Sequence, residues 1–349
     1  MYEFFPWLID MSLFETSFTE QELQPVIEVL KSGKIGFGPN VVEFENKFSQ
    51  YSNKKYNIAT NSASAAAWMI FAFLAKKYGE CEIYTTSLGF VSPAWSAKKN
   101  GHEIIYVDVD DNLLFSVENY LKVRRNNNKT KVVMPILYGG VSNIRNSNMI
   151  PDNDIRVVDS AHCVTPTIDC EYSFFSFHPY KPIAMSDGGM IATDDSEATK
   201  YFRAYRNFGR QSLKNYALPY DIDTDGFKFY MNNLNATIGL AQIERYAEMQ
   251  KRRKTKHEFF AQMISKKILQ HDKDSSYYFG TVFADNANAI CEKYKLPRHY
   301  PMLHKTVKHK NGQVLTNTEF IFDKIINIPI HENIDSNFLL RLANDIEGR

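Results

Sequence analysis

Seven short apolar runs, most of them separated by a segment of helix length, limit the folds open to this chain. The runs are YNIAT (56–60), EIYTT (82–86), EIIYV (103–107), KVVMPIL (131–137), IRVVD (155–159), YSFFSF (172–177) and GMIAT (189–193). Apolar strands alternating with helices are typical of a parallel sheet that is covered on both faces. We therefore predict an α/β fold with a largely parallel seven-stranded sheet.

Helical patterns precede this region and follow it. A first helix is predicted between a cap at Thr19 and Gly33, and a second from about Val41 to Tyr51. Residues 198–267 are mainly helical, and from about Ser275 the pattern returns to strand, helix and loop. A chain of 349 residues suits more than one domain. We predict a large domain over residues 1–250 and a smaller α/β domain over residues 251–349.

The charges nearly cancel, with 41 Lys and Arg against 40 Asp and Glu, so no overall field favours nucleic acid or an anionic membrane. The basic run at 251–258 lacks interleaved aromatics and is interpreted as a solvated helix face. No apolar run approaches the roughly 20 residues of a membrane helix, and residues 1–17 lack the pattern of a signal peptide. These features predict a cytoplasmic protein.

Metal and disulfide chemistry is not indicated by the residue spacing. The four cysteines show no paired-ligand spacing and are expected to be reduced, packed thiols. YVDVDDN (106–112) has three aspartates but no convergent ligand set, so we predict no metal site.

Polar residues directly follow several of the predicted strands, where ligands bind in sheets of this kind. Asn61 to Ala66 are small residues at a helix start, suited to hold a phosphate, although a plain serine cap is an alternative. Phe90 offers either a flat face for a planar group or a core side chain. Asp159 needs a cation or several donors if it is buried. Lys181, partly desolvated in a turn, would have a lowered pKa and a nucleophilic amine. Together these groups match the needs of pyridoxal phosphate.

The chain resembles the DegT-like sugar-nucleotide aminotransferases of pyridoxal-phosphate fold type I over most of its length. The matching blocks are SGKIGFGPNVVEFENKFSQY, NSASAAA, TTSLGFVSPA, EIIYVDVD, PILYGG, VVDSAH, SFHPYKPIAMSDGGMIATDD, GFKFYMNNLNATIGLAQIERY and HYPMLHK. SFHPYK followed by SDGG is the most specific of them. The resemblance implies a pyridoxal-phosphate-dependent transferase that aminates a keto group on a nucleotide-linked hexose, with glutamate as the donor. Amino-sugar biosynthesis for surface polysaccharide or glycan is the expected setting.

The resemblance also implies a role for each matching residue. Lys181 would form the Schiff base and move the proton, and Asp159 would pair with the ring nitrogen. His162 would lie near the ring hydroxyl and Phe90 against the ring. The residues expected at the phosphate are Ala63, Ser64 and Ser176, with Lys228 reaching the phosphate of a neighbouring subunit. A homodimer with shared active sites follows from that last role, and His304 is a candidate substrate contact.

Three positions depart from the family pattern. Ala63 replaces a glycine, Asp187 replaces a glutamate, and Lys228 stands where asparagine is common. Two other functions remain open from the sequence: a related sugar-nucleotide dehydratase, in which histidine takes the place of the lysine, and a non-catalytic regulator that binds the cofactor or a sugar nucleotide. Because Lys181 is present, transamination is favoured.

Overall fold

The computed structural model describes residues 13–210, 222, 224–306 and 314–349, and a seven-stranded sheet lies at its centre. The strands are β1 (Tyr56–Thr60), β2 (Glu82–Thr86), β3 (Glu103–Val107), β4 (Lys131–Met134), β5 (Ile155–Asp159), β6 (Tyr172–Ser176) and β7 (Gly189–Thr193). Their spatial order is β1-β7-β6-β5-β4-β2-β3. Each predicted apolar run contributes one strand, and the predicted fold class is confirmed.

One strand breaks the parallel pattern. β2, β3, β4, β5 and β6 form parallel pairs, whereas β7 runs antiparallel to both β1 and β6. A parallel neighbour needs a long crossover, but an antiparallel one can follow its predecessor through a short connection. The segment 177–188 is therefore a short connection between the neighbouring strands β6 and β7, and it contains Lys181.

Helices cover both faces of this sheet, which explains why its strands are apolar throughout. The helices are α1 (Glu20–Ser32), α2 (Pro39–Ser52), α3 (Ala63–Tyr78), α4 (Val91–Lys99), α5 (Val117–Val123), α6 (Ser196–Tyr205), α7 (Asn233–Ala261), α8 (Ala287–Tyr294), α9 (Leu303–Thr306), α10 (Thr316–Phe322) and α11 (Ser336–Glu347). One core lies between the sheet and α3, α4 and α6, and another between the sheet and α2 and α7. The predicted ends of α1 are confirmed, with Thr19 as N-cap and Gly33 in the left-handed region at φ 67°.

A second, smaller sheet lies in the C-terminal part. It contains β8 (Lys267–Ile268), β9 (Gly280–Phe283) and β10 (Ile325–Ile328) in the order β10-β9-β8, all antiparallel. α8 and α11 pack on it through an apolar core that also takes in Phe260 near the end of α7. The boundary predicted between residues 250 and 251 falls inside α7, and it stays a prediction.

A strap of residues 13–19, the N-terminal strap, ties distant parts of the chain together. The Thr16 hydroxyl donates to the carbonyl oxygen of Pro179, and the Ser17 hydroxyl donates to the Glu332 carboxylate. Asn333 donates its amide to Glu15 at 2.7 Å. The strap thus connects the β6–β7 segment to the loop before α11.

Cys81, Cys163 and Cys170 are buried and Cys291 is partly buried, and all four are free thiols. Among the described helices, none combines the length and the apolar character that crossing a bilayer requires.

Candidate active site

The polar groups that follow β1, β2, β5 and β6 meet around one cavity of about 380 Å³ at the carboxyl edge of the sheet. Parallel strands end at the same edge, so residues far apart in sequence come together there. Seven of the predicted site residues line the cavity: Ala63, Ser64, Phe90, Asp159, His162, Ser176 and Lys181. Asp187, one of the positions that depart from the family pattern, also lies in its wall.

The start of α3 forms one end of the cavity. Ser62 caps the helix, its hydroxyl oxygen accepting from the Ala65 N–H at 3.1 Å. The N–H groups of Ala63 and Ser64 come before the first hydrogen-bonded turn and have no intrahelical acceptor. With the helix dipole behind them, these donors suit an anion. Ala63 is not among the described residues with positive φ, so its replacement of glycine brings no backbone strain.

Gly189 allows β7 to approach this helix start. It lies opposite Thr60 of β1 and Ser176 of β6. A Cβ atom at this position would lie 2.4 Å from the carbonyl carbon and oxygen of Ser62 and 2.5 Å from the nitrogen of Ala63. Only glycine leaves room for that approach, which brings the Ser176 side of the sheet next to the donors of α3.

Asp159 is a buried acid at the end of β5, with 4% of its surface exposed. Its Oδ1 accepts from the Ala161 N–H at 3.0 Å. Burial raises the pKa of Asp159 to about 6, and the Ala161 N–H and the Lys181 charge counteract that rise only in part. None of the ion pairs found among the described residues involves this carboxylate. Asp159 is therefore a buried acid that would gain from a cationic partner in the cavity.

Lys181 lies in the turn of the β6–β7 segment. The turn is held by the Lys181 N–H, which donates to the His178 carbonyl oxygen at 2.8 Å, and by the Met185 N–H, which donates to that of Phe177 at 2.8 Å. Burial lowers the pKa of the Lys181 amine to about 8, although the Asp159 charge opposes this shift. A usable share of the amine is therefore unprotonated near neutral pH, as a nucleophile or base requires.

Aromatic side chains surround the amine of Lys181. Its Nζ lies 4.8 Å from the ring centre of Tyr278 and 3.5 Å from the Tyr300 hydroxyl. Phe90, at 56% exposure, presents its ring to the cavity and meets Tyr300 edge to face at 5.9 Å. Phe14 of the N-terminal strap stacks on Tyr278 at 4.6 Å and lines the cavity as well.

Three residues of the cavity wall were not among the predicted site residues: Phe14, Tyr278 and Tyr300. Tyr300 belongs to the matching block HYPMLHK, in which only His304 was a candidate, and Tyr278 lies just after Ser275, where only a return to strand, helix and loop was predicted. Phe14 lies before the first predicted helix and carried no local signal.

His162 is buried beside Tyr300. Its Nε2 lies 2.9 Å from the Tyr300 hydroxyl, and its Nδ1 has no hydrogen-bond partner among the described residues. Burial and the Lys181 charge hold the pKa of His162 well below its usual value, so the ring is neutral.

Two predicted residues lie away from the cavity wall. His304 Nδ1 is 2.6 Å from the Ser87 hydroxyl, and its Nε2 is 3.1 Å from Glu319, so both ring nitrogens are engaged. Lys228 is exposed, with its amine 5.7 Å from the centre of the Tyr230 ring. The substrate role of His304 and the intersubunit role of Lys228 stay predictions.

The donor set of the cavity fits pyridoxal phosphate. A lysine with a lowered pKa, a buried acid without an ion-pair partner and a helix start with unpaired N–H groups suit an aldehyde, a pyridine nitrogen and a phosphate. No group of three or more His, Cys, Asp or Glu side chains suited to a metal ion occurs in the part of the chain that the structure describes.

Comparison with known proteins identifies the relatives of this chain. The sequence model of the DegT/DnrJ/EryC1/StrS aminotransferase family matches residues 16–347. The spore coat polysaccharide biosynthesis protein SpsC of Bacillus subtilis is 31% identical over 251 residues, which cover 67% of this chain and 64% of SpsC. The UDP-4-amino-4-deoxy-L-arabinose–oxoglutarate aminotransferase of Shewanella sediminis is 26% identical over 265 residues, covering 70% of this chain and 66% of that protein. These alignments thus span slightly under two thirds of each curated relative.

The same fold occurs among solved structures. PseC of Helicobacter pylori, an aminotransferase involved in the biosynthesis of pseudoaminic acid, superposes with a TM-score of 0.88 at 19% identity. The superposition covers 97% of this chain and 99% of PseC.

Proposed function

Because this chain belongs to the DegT/DnrJ/EryC1/StrS aminotransferase family, we propose that it transfers the amino group of glutamate to a keto group on a nucleotide-linked hexose or deoxyhexose. The cofactor is pyridoxal 5'-phosphate, on which aminotransferases of this family depend. Amino-sugar biosynthesis for a polysaccharide or glycan, in the cytoplasm, is the setting that we propose.

One observation carries the proposal: Lys181 and Asp159, each with a shifted pKa, lie in the wall of the same cavity as the helix start at Ala63. A binding protein would not need an amine whose pKa is lowered to about 8, whereas a transaminase needs this amine as nucleophile and base. Lysine at this position also disfavours the dehydratase alternative.

Pyridoxal phosphate, when bound, supplies an aldehyde that carries the amino group and a ring that accepts electrons. Asp159 would hold a proton on the ring nitrogen, and the resulting opposite charge would lower the pKa that burial has raised. Lys181 would take the proton from the donor's α-carbon and deliver it to the aldehyde carbon of the cofactor, which would then keep the amino group. Ala63, Ser64 and Ser176 would bind the phosphate, Phe90 would lie against the ring, and His162 would lie near the ring hydroxyl.

The names of two relatives support the proposed substrates. The Shewanella enzyme is named for a UDP-linked amino sugar and for oxoglutarate, the keto acid that glutamate becomes when it gives up its amino group. SpsC is named for spore coat polysaccharide biosynthesis. A nucleotide-linked keto-sugar and glutamate are therefore the first substrates to test.

The first experiment asks whether Lys181 binds the cofactor. The protein is loaded with pyridoxal phosphate, reduced with borohydride, digested and analysed by mass spectrometry. We expect a pyridoxyl group on the peptide that contains Lys181, and none on the same peptide of Lys181→Arg. A loaded, coloured protein with no adduct at Lys181 would contradict the proposal.

The second experiment tests the reaction. Incubation with glutamate should release 2-oxoglutarate up to one equivalent of enzyme, and turnover should then follow with a keto-sugar nucleotide from a panel. Product masses identify the acceptor. Failure of every donor to release a keto acid would refute transamination, and a response to another amino acid would correct the donor alone.

We also propose a homodimer in which Lys228 of one subunit reaches the phosphate bound by the other. Its exposure in the single chain supports this role. Mixing inactive Lys181→Ala with weakened Lys228→Ala should restore activity in mixed dimers, because one site then keeps both lysines. Absence of any recovery after subunits have exchanged would contradict shared sites.

A further inference from the structure

The Lys181 amine contacts two tyrosines, Tyr278 and Tyr300. Among the described residues, the hydroxyl of Tyr300, at 3.5 Å, is its hydrogen-bond acceptor, and the ring of Tyr278 lies 4.8 Å away. Neither tyrosine belongs to the large sheet. Tyr278 lies two residues before β9, and Tyr300 lies in the segment before α9. Both therefore approach the amine from the C-terminal part of the chain.

Tyr300 is held firmly in this position. Its hydroxyl lies 2.9 Å from His162 Nε2, and its ring stacks on His162 with centroids 5.6 Å apart and planes at 27°. Burial raises the pKa of Tyr300 and lowers that of His162, so both side chains are neutral. The ammonium form of Lys181 carries only donors, so the Tyr300 oxygen accepts in their contact, whichever way the proton between Tyr300 and His162 lies.

We propose that Tyr300 is a further catalytic residue, whose hydroxyl oxygen holds the reacting amine of Lys181 in the cavity, and that the ring face of Tyr278 supports the same amine. This inference rests on the proposed function, in which Lys181 is the reacting group. Between chemical steps Lys181 has to stay in place although its side chain is long and flexible. A fixed acceptor and an aromatic face provide the positioning that a free lysine lacks.

Replacing either tyrosine should change the pKa of Lys181 in a defined direction. Tyr300→Phe removes an acceptor that favours the ammonium form, so the pKa of Lys181 falls further. The contact is long, so a shift of about half a pKa unit downward is expected. Tyr278→Leu removes the ring face and shifts the pKa in the same direction by a similar amount. Tyr278→Phe keeps the ring and leaves the titration of Lys181 unchanged.

Other charged and titratable groups also surround Lys181, and the variants leave them in place. They are Asp159 at the end of β5, His162 in the turn after it, His178 in the β6–β7 segment, His299 beside Tyr300, and Asp187, which acts on His178. Of these groups, Asp159 is the one whose charge raises the pKa of Lys181 against the effect of burial.

The test is trace acetylation of the full-length, cofactor-free protein from pH 6 to 11, with the Lys181 peptide quantified by mass spectrometry. Exposed Lys251 serves as the internal reference. Tyr246→Phe is the matched control, since it removes a buried hydroxyl, bonded to Ser276 at 2.8 Å, outside the cavity wall. Circular dichroism of each variant reports on its folding.

The expected result is a downward shift for Tyr300→Phe and Tyr278→Leu, and none for Tyr278→Phe or Tyr246→Phe. An unchanged or raised pKa of Lys181 in folded Tyr300→Phe would overturn the role of Tyr300. If that variant does not fold, the two Tyr278 variants decide, and equal titration curves for them overturn the inference. A protein that shows these shifts but releases no keto acid from any amino acid refutes the proposed function and leaves the tyrosine contacts standing.

Discussion

Replacing Gly189 by alanine should disrupt the end of the cavity at which we propose that phosphate binds. The added Cβ would lie 2.4 Å from the Ser62 carbonyl group and 2.5 Å from the Ala63 nitrogen. Non-bonded carbon atoms prefer roughly 3.5 Å or more, so β7 and the start of α3 would have to separate by about 1 Å. Backbone atoms cannot rotate out of the way as a side chain can.

The size of the effect follows from that separation. Overpacking of this kind costs about 1–3 kcal/mol, and we expect the upper end because both contacts are with backbone. The displacement also moves the Ala63 and Ser64 donors away from Ser176. Loss of one hydrogen bond to a charged group, worth about 1.5–3 kcal/mol, would weaken binding of pyridoxal phosphate roughly 10- to 100-fold.

The neighbouring glycine supplies a matched comparison. A Cβ at Gly188 would meet side-chain atoms instead of backbone, namely Met231 Cε at 3.0 Å, Met185 Sδ at 3.1 Å and Phe177 Cβ at 3.3 Å. Gly188→Ala should therefore cost less than Gly189→Ala. The assays are urea unfolding of the cofactor-free protein and spectroscopic titration with pyridoxal phosphate. Equal stability and affinity in Gly189→Ala and the unaltered protein would refute the reasoning.

Two more substitutions test the buried titratable groups. Burial raises the pKa of Asp159 to about 6, so the folded cofactor-free protein binds this proton more tightly than the unfolded chain and loses stability as the pH rises from about 4 to 6. Asp159→Asn should therefore raise the free energy of unfolding at pH 7 by about 1–3 kcal/mol, and lower the single-turnover rate about 100-fold, more than it weakens cofactor binding. A normal single-turnover rate would remove Asp159 from the mechanism. Burial lowers the pKa of His257 to about 4, so its stabilising effect is present above pH 6.5 and is lost as the pH falls toward 4. His257→Leu should flatten the fall in unfolding free energy over that range by up to about 3 kcal/mol, and an identical pH dependence in the variant would contradict this.

The sequence predicted the large sheet well because the signal for its strands is local. Each buried strand is an apolar run, and the residue that follows a parallel strand lies at the carboxyl edge of the sheet, where ligands bind. Asp159 and the helix start at Ala63 are found by that rule alone. Lys181 was distinguished from a surface lysine by the other polar groups at the strand ends, the resemblance implied its role, and the structure adds that it lies on an antiparallel connection.

The aromatic surroundings of Lys181 could not be predicted in the same way. Tyr278 and Tyr300 reach the cavity from the C-terminal part, and Phe14 from the N-terminal strap, so their contacts depend on packing across the whole chain. No periodicity reports such contacts. His304 lies in a matching block and its ring nitrogens contact Ser87 and Glu319, so its substrate role stays a prediction.

The N-terminal strap also sets an order of events during synthesis. Ser17 and its partner Glu332 are 315 residues apart. At a synthesis rate of 5–20 residues per second, about 15–60 s pass between the appearance of the two residues. The large sheet can form within that time, whereas Phe14 receives its full surroundings only when translation is nearly complete. A nascent chain therefore passes through a stage in which the large sheet and the strap are both present but the Ser17–Glu332 contact, which ties the strap to the C-terminal part, has not yet formed.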